Sequence, residues 1–70
     1  MSGAEVIRRL RRAGFALASQ RGSHAKLRRR NQGDVLTVIV PLHSDLAPGT
    51  LASILRQAKI SRAEFDALGQ

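Results

Sequence analysis

Seventy residues without a single cysteine place the chain near the lower limit at which one hydrophobic core sustains a fold, with neither disulfide staples nor thiolate metal sites to help it. Twelve Lys or Arg against five Asp or Glu give a formal net charge of +7, which points to an acidic partner: nucleic acid first, then an acidic protein or an anionic membrane. The longest apolar stretch, Val35 to Leu42, is far too short to span a bilayer, and Arg8, Arg9, Arg11 and Arg12 interrupt any signal-peptide core, so a cytoplasmic protein with no membrane partner is expected.

Ser2-Gly3-Ala4-Glu5 has the form of a capping box, so a helix is expected to begin there. On a 100° wheel Val6, Ile7, Leu10 and Ala13 share one face, with Arg8, Arg11 and Arg12 opposite and Arg9 flanking. Gly14 supplies the stop. Phe15, Leu17 and Ser19 then alternate with Ala16, Ala18 and Gln20 in a first short strand, and a turn is expected at Arg21-Gly22. From Ser23 to Arg30 a period of two sets Ala25 and Leu27 on one face and His24, Lys26, Arg28 and Arg30 on the other.

Asn31-Gln32-Gly33-Asp34 has the composition of a hairpin loop, and Val35 to Val40 is the clearest strand, rich in β-branched residues and ended by Pro41. That third strand is apolar on both parities. Either a protein partner or a second copy covers its outer face, or Leu36, Val38 and Val40 are shielded by neighbouring side chains. After a loop through His43-Ser44-Asp45, Pro48 suits the first turn of a second helix carrying Leu51, Ile54, Leu55 and Ala58 at i, i+3, i+4, i+7. A second capping box, Ser61-Arg62-Ala63-Glu64, opens a short helix with Phe65 and Leu68. The fold class is therefore α+β: α-β-β-β-α with a short C-terminal helix, a three-stranded antiparallel sheet with helices on one face, and residues 1–70 as one domain.

Cleavage of RNA by transesterification needs a base for the 2′-hydroxyl, an acid for the leaving oxygen and cations for the charge that develops on the phosphoryl group. His24 can supply either proton transfer, and Lys26 and Arg28, two and four residues along the same face, can supply the charge. Gly22 lets backbone approach a substrate closely, and Ser23 can donate to a phosphate oxygen. On spacing alone, His24 reads first as an exposed strand residue, since one histidine with basic neighbours is not a specific signal. His43 is a second candidate acid or an ordinary loop cap, and the helix-one arginines are an RNA contact or a solvated face. No local spacing of His24 and His43 suggests a metal site, and Asp34 and Asp45 fit turn positions. Gly49 and Thr50 at a helix start are explained by capping.

The run Phe15 to Gln20, then Gly22-Ser23-His24-Ala25-Lys26-Leu27, Val38-Ile39-Val40-Pro41-Leu42-His43, Leu46-Ala47-Pro48-Gly49-Thr50-Leu51 and Ile54-Leu55-Arg56-Gln57-Ala58, resembles the HicA family of toxins from HicA-HicB toxin-antitoxin systems across nearly the whole chain. The resemblance implies a fold similar to the double-stranded RNA-binding domain and cleavage of mRNA without metal or other cofactor. It also implies dependence on the histidine of Gly-Ser-His, here His24, and neutralisation by a HicB-like antitoxin, with a homodimer or a toxin-antitoxin hetero-oligomer as possible assemblies.

The chain departs from that family at Leu27, where an aromatic residue is common, and it has no Tyr or Trp at all. It departs from ordinary double-stranded RNA-binding domains at Pro48-Gly49-Thr50, which carry no Lys, with Arg56 and Lys59 too far along to replace them. RNA is then expected on the His24 sheet face or on the arginine face of helix one, through phosphate and 2′-hydroxyl contacts. The competing readings are an RNA-binding module that cuts nothing and a chain that chiefly binds an acidic protein.

Overall fold

In a computed structural model that describes residues 1–70, the chain order is α1 (Gly3–Arg12), β1 (Ala16–Arg21), β2 (His24–Asn31), β3 (Asp34–Pro41), α2 (Pro48–Ala58) and α3 (Arg62–Ala67). The strands form an antiparallel meander in the order β1-β2-β3, as the alternation in the sequence anticipates. The helices cover one face of it. Val6 and Leu10 of α1, Leu51, Ile54, Leu55 and Ala58 of α2, and Phe65 of α3 meet Ala25, Leu27, Leu36, Val38 and Val40 of the sheet in one core. No polar or charged residue is buried. Burial of a side chain such as Leu27 or Phe65, each fully inaccessible, contributes roughly 1.5–3 kcal/mol.

The register of β2 on β3 sets Ala25 opposite Val40 and Leu27 opposite Val38, while His24, Lys26, Arg28 and Arg30 stand opposite Pro41, Ile39, Thr37 and Val35. Directly paired residues share a face, so Leu36, Val38 and Val40 point into the core. They are therefore not a second apolar face awaiting shielding. The outward residues of β3 are Val35, Thr37 and Ile39, and Val35 and Ile39 remain exposed.

Helix α1 ends in a paired closure: Gly14, at φ +98°, donates to Arg11 O at 3.0 Å, and Phe15 N–H donates to Leu10 O at 3.0 Å. Only a residue tolerant of the left-handed region holds that position, and the closure swings Phe15 into the core beside Leu10. At the other end Ser2 Oγ accepts from Glu5 N–H at 3.1 Å, but the box is not reciprocal. The Glu5 carboxylate turns instead to Arg8 Nε and Nη2, at 2.9 and 2.6 Å, and to Arg9 Nε at 2.8 Å, because two guanidinium groups one turn on offer stronger bonds than one backbone N–H. At α3 both halves of the box form, Ser61 Oγ with Glu64 N–H and Glu64 Oε1 with Ser61 N–H, each at 3.1 Å. Helix α2 starts at Ala47-Pro48 with no side-chain cap, so Thr50 has no capping role there. It ends at Lys59, which takes the left-handed φ of 55° that allows Ile60 N–H to donate to Leu55 O at 3.1 Å.

The free edge of β3 is closed piecemeal. Ile39 N–H donates to Gln57 Oε1 at 3.2 Å, Val35 N–H donates to Asp34 Oδ1 at 2.8 Å, and Pro41 has no N–H to offer. These contacts leave little ladder for another strand to join. Gly3 anchors the start of α1 against the end of this strand, donating from its N–H to His43 O at 2.9 Å. A side chain at Gly3 would run into the Pro41 carbonyl, which is backbone and cannot turn aside.

Two outcomes follow for stability. Gly3→Ala is expected to lower unfolding free energy by about 1–3 kcal/mol in a urea titration, through the clash with Pro41. The Arg8 and Arg9 hydrogen bonds hold the Glu5 carboxyl down from 4.5 to about 2, and a carboxyl whose folded value is depressed stabilises the fold above its unfolded value. That contribution is lost as pH falls from about 4.5 through about 2. Thermal melts across this window should show a shallower acid decline in Glu5→Gln than in the parent.

Candidate active site on the outer sheet face

The β1-β2 connection is a two-residue turn, Gly22-Ser23, with Arg21 paired directly to His24. This corrects the expectation of a turn at Arg21-Gly22 with Ser23 already in the strand. Gly22 has φ +52° and Ser23 does not share it, the glycine-first pattern that matches hairpin twist. A Cβ on Gly22 would meet nothing within 4 Å, so the glycine is there for its backbone angle. Ser23 O accepts from Leu42 N–H at 2.6 Å, tying the turn to the chain leaving β3.

Strand β1 is irregular. Leu17 pairs with Leu27 and Ser19 with Lys26, leaving Ala18 as an extra residue in a bulge. A bulge reverses the parity of everything beyond it. Phe15, Leu17 and Ser19 therefore do not share a face as strict alternation predicts: Ser19 and Arg21 are carried to the outer side, beside Lys26 and His24. All six residues of β1 are exposed, since the helices do not extend over this edge.

The result is an open depression of about 410 Å³ lined by Ser19, Arg21, His24, Ala25, Lys26 and Ile39. It holds an imidazole, two cations, a hydroxyl and two apolar residues, Ala25 and Ile39, and no carboxylate. Such a donor-rich concavity suits a phosphate group with a reacting hydroxyl beside it. His24 is exposed and makes no hydrogen bond to protein, so both ring nitrogens are open to a ligand.

Of the sequence-derived candidates, His24 and Lys26 line this depression, whereas Gly22 and Ser23 form the turn adjoining it. Arg28 stands on the same face one two-residue step beyond Lys26, opposite Thr37. His43 lies outside it, exposed in the loop after β3, where its backbone carbonyl serves Gly3. Arg21 and Ser19 were not foreseen. The two-residue turn Gly22-Ser23 signals the Arg21-His24 pairing, but nothing in Ala16-Leu17-Ala18-Ser19 announces the bulge.

The arginines of α1 have other work. Arg8 and Arg9 hold Glu5; Arg9 also lies over the Phe65 ring, 4.7 Å from its centroid; and Arg12 Nη1 donates to Leu68 O and Gln70 O, each at 2.9 Å. Arg9 and Arg12 bind α3 and the residues after it to α1, Arg8 is held within α1, and of the four only Arg11 lacks a partner. Arg29, on the inward parity of β2, donates to Ala13 O at 3.0 Å and covers Phe15 at 5.2 Å. Both aromatic rings of the chain are thus buried, and neither is available for base stacking. No three His, Asp or Glu side chains converge as a metal site would require, and no helix is long and apolar enough to cross a membrane.

Comparison with protein families finds a match over residues 3–60 to the model for the HicA toxin of bacterial toxin-antitoxin systems. No curated protein matches the chain.

Proposed function

The chain belongs to the HicA toxin family of bacterial toxin-antitoxin systems, and we propose that it acts as an endoribonuclease on mRNA, with His24 as its proton-transfer residue. The observation that carries this reading is the depression in which His24 lies between Arg21 and Lys26 with no carboxylate nearby. A scissile phosphate seated there meets cations on both sides. His24 removes the proton of the 2′-hydroxyl, whose oxygen bonds to phosphorus as the 5′-oxygen departs with its bonding electrons and takes a proton from solvent water. The products are a 2′,3′-cyclic phosphate and a 5′-hydroxyl, and atoms balance without metal or redox partner. Lys26 and Arg21 offset the charge on the phosphoryl oxygens, Arg28 and the Ser23 hydroxyl bind adjacent parts of the strand, and Gly22 keeps the turn beside His24 clear of side chain.

As a family toxin, the chain is paired with an antitoxin. A HicB-like protein that buries the exposed Val35 and Ile39 would lie across the depression, because Ile39 is one of its walls. Occlusion of His24 then accounts for neutralisation, in a hetero-oligomer of toxin and antitoxin.

His24→Ala should lower the cleavage rate of a labelled RNA, assayed with chelator present, by about 10²- to 10⁴-fold. Its melting temperature should stay close to the parent's, since His24 is exposed and unbonded. Undiminished cleavage by the variant would overturn the mechanism; RNA binding by parent and variant alike with cleavage by neither would make the chain a binding module. Arg21→Ala should slow single-turnover cleavage at saturating protein by about tenfold or more while Arg11→Ala does not, a contrast that separates charge placed at the phosphate from overall charge.

A further inference from the structure

The cations of this protein divide into those with partners and those without. On α1 and α3, Arg8, Arg9, Arg12 and Arg62 are tied to carboxylates or carbonyls, and on β2 Arg29 is tied to Ala13 O. Lys26, Arg28 and Arg30 have no hydrogen-bond or ion-pair partner in the protein, although they account for three successive outward positions of one central strand. Exposed arginines with a carboxylate nearby fold onto it, as Arg8 does onto Glu5. These cannot, because the residues opposite them are Ile39, Thr37 and Val35.

We infer that Lys26, Arg28 and Arg30 form a track for the backbone of single-stranded RNA, running from the His24 depression along β2 to the Asn31–Asp34 turn. The inference rests on the assignment of that depression as an RNA site. The pleat spaces alternate residues by about 6.7 Å, so the row from His24 to Arg30 is about 20 Å long and nearly straight. An unwound strand can lay successive phosphates along such a row. A strand of an A-form RNA duplex winds around its helix axis and away from such a row. The faces that could hold a duplex are poorly furnished: the α1 arginines are largely committed, and the start of α2 carries no cation. Thr37 and the exposed Val35 flank the track on β3, offering a hydroxyl and an apolar surface for ribose. No aromatic ring stands on this face, so contacts fall on phosphate and sugar and discriminate little between bases. At the far end the track stops with Arg30, the last outward cation before the Asn31–Asp34 turn.

The test is binding of a fluorescent unstructured RNA of about a dozen nucleotides to His24→Ala protein, which leaves the probe intact, measured across a range of salt. Each phosphate contact contributes about −0.7 to the slope of log K against log salt. Arg28→Ala and Arg30→Ala, each added to His24→Ala, should reduce the slope's magnitude by about 0.7 apiece, and Arg11→Ala should leave it unchanged. A duplex of the same length should bind more weakly than the single strand. Slopes unaffected at Arg28 and Arg30, an equal loss at Arg11, or tighter binding of the duplex would each overturn the track. So would unchanged RNA binding accompanied by lost binding of an acidic antitoxin. If the parent protein fails to cleave RNA while the slopes fall as described, the track stands and the chemistry assigned to His24 fails.

Discussion

Packing of Ala25 and Leu27 against Val38 and Val40 decides which way every side chain of β2 points. The pleat has a period of two, so a slip of one residue would exchange Ala25 and Leu27 for Lys26 and Arg28 in a core that contains no charge. That alternative is excluded by the cost of burying unpaired cations. The outer cationic face is therefore a direct consequence of the inner apolar one, and the position of His24 is set by residues on the opposite face of the sheet.

A second constraint places the partners of His24. The turn at Gly22-Ser23 fixes Arg21 opposite His24, and the bulge at Ala18 restores the outward parity of Ser19 and Arg21 after Phe15 has been drawn into the core. The inward anchor and the outward site would conflict on a regular strand. One extra residue reconciles them, and the edge location of β1 makes the irregularity inexpensive because only one neighbouring ladder is disturbed. Its lack of helical cover leaves the rim of the depression open to solvent.

Charge is distributed by the same logic. The net +7 is not a diffuse coat: Arg8, Arg9, Arg12, Arg29 and Arg62 are consumed in pairing with Glu5 and Asp66, in joining α1 to the C-terminal segment and in covering the two phenylalanine rings, while the outer sheet face keeps its cations free. In a chain this small, without disulfides or buried polar groups, the arginine bonds help hold a terminal helix that has one buried anchor, Phe65. Composition alone does not distinguish these two uses of arginine, since the distinction lies in which carbonyls and carboxylates come within reach.

The sequence by itself determined the order of elements, the apolar stripes of α1 and α2, the cationic parity of β2 and the prominence of His24, because each is a local regularity of period 3.6 or 2. It also carried the family resemblance, spread over motifs whose order survives without any structure. What it left open depended on long-range choices. The bulge at Ala18, the inward direction of Leu36, Val38 and Val40, and the diversion of Glu5 from its cap to two arginines were decided only when strands and helices met. Each turns on a competition between neighbours that are distant in sequence or equivalent in local pattern: β3 is apolar on both parities, so only its pairing with Ala25 and Leu27 could say which side is buried. The same pairing made a histidine among cations into a walled depression, with Arg21 as a wall that local pattern had not supplied.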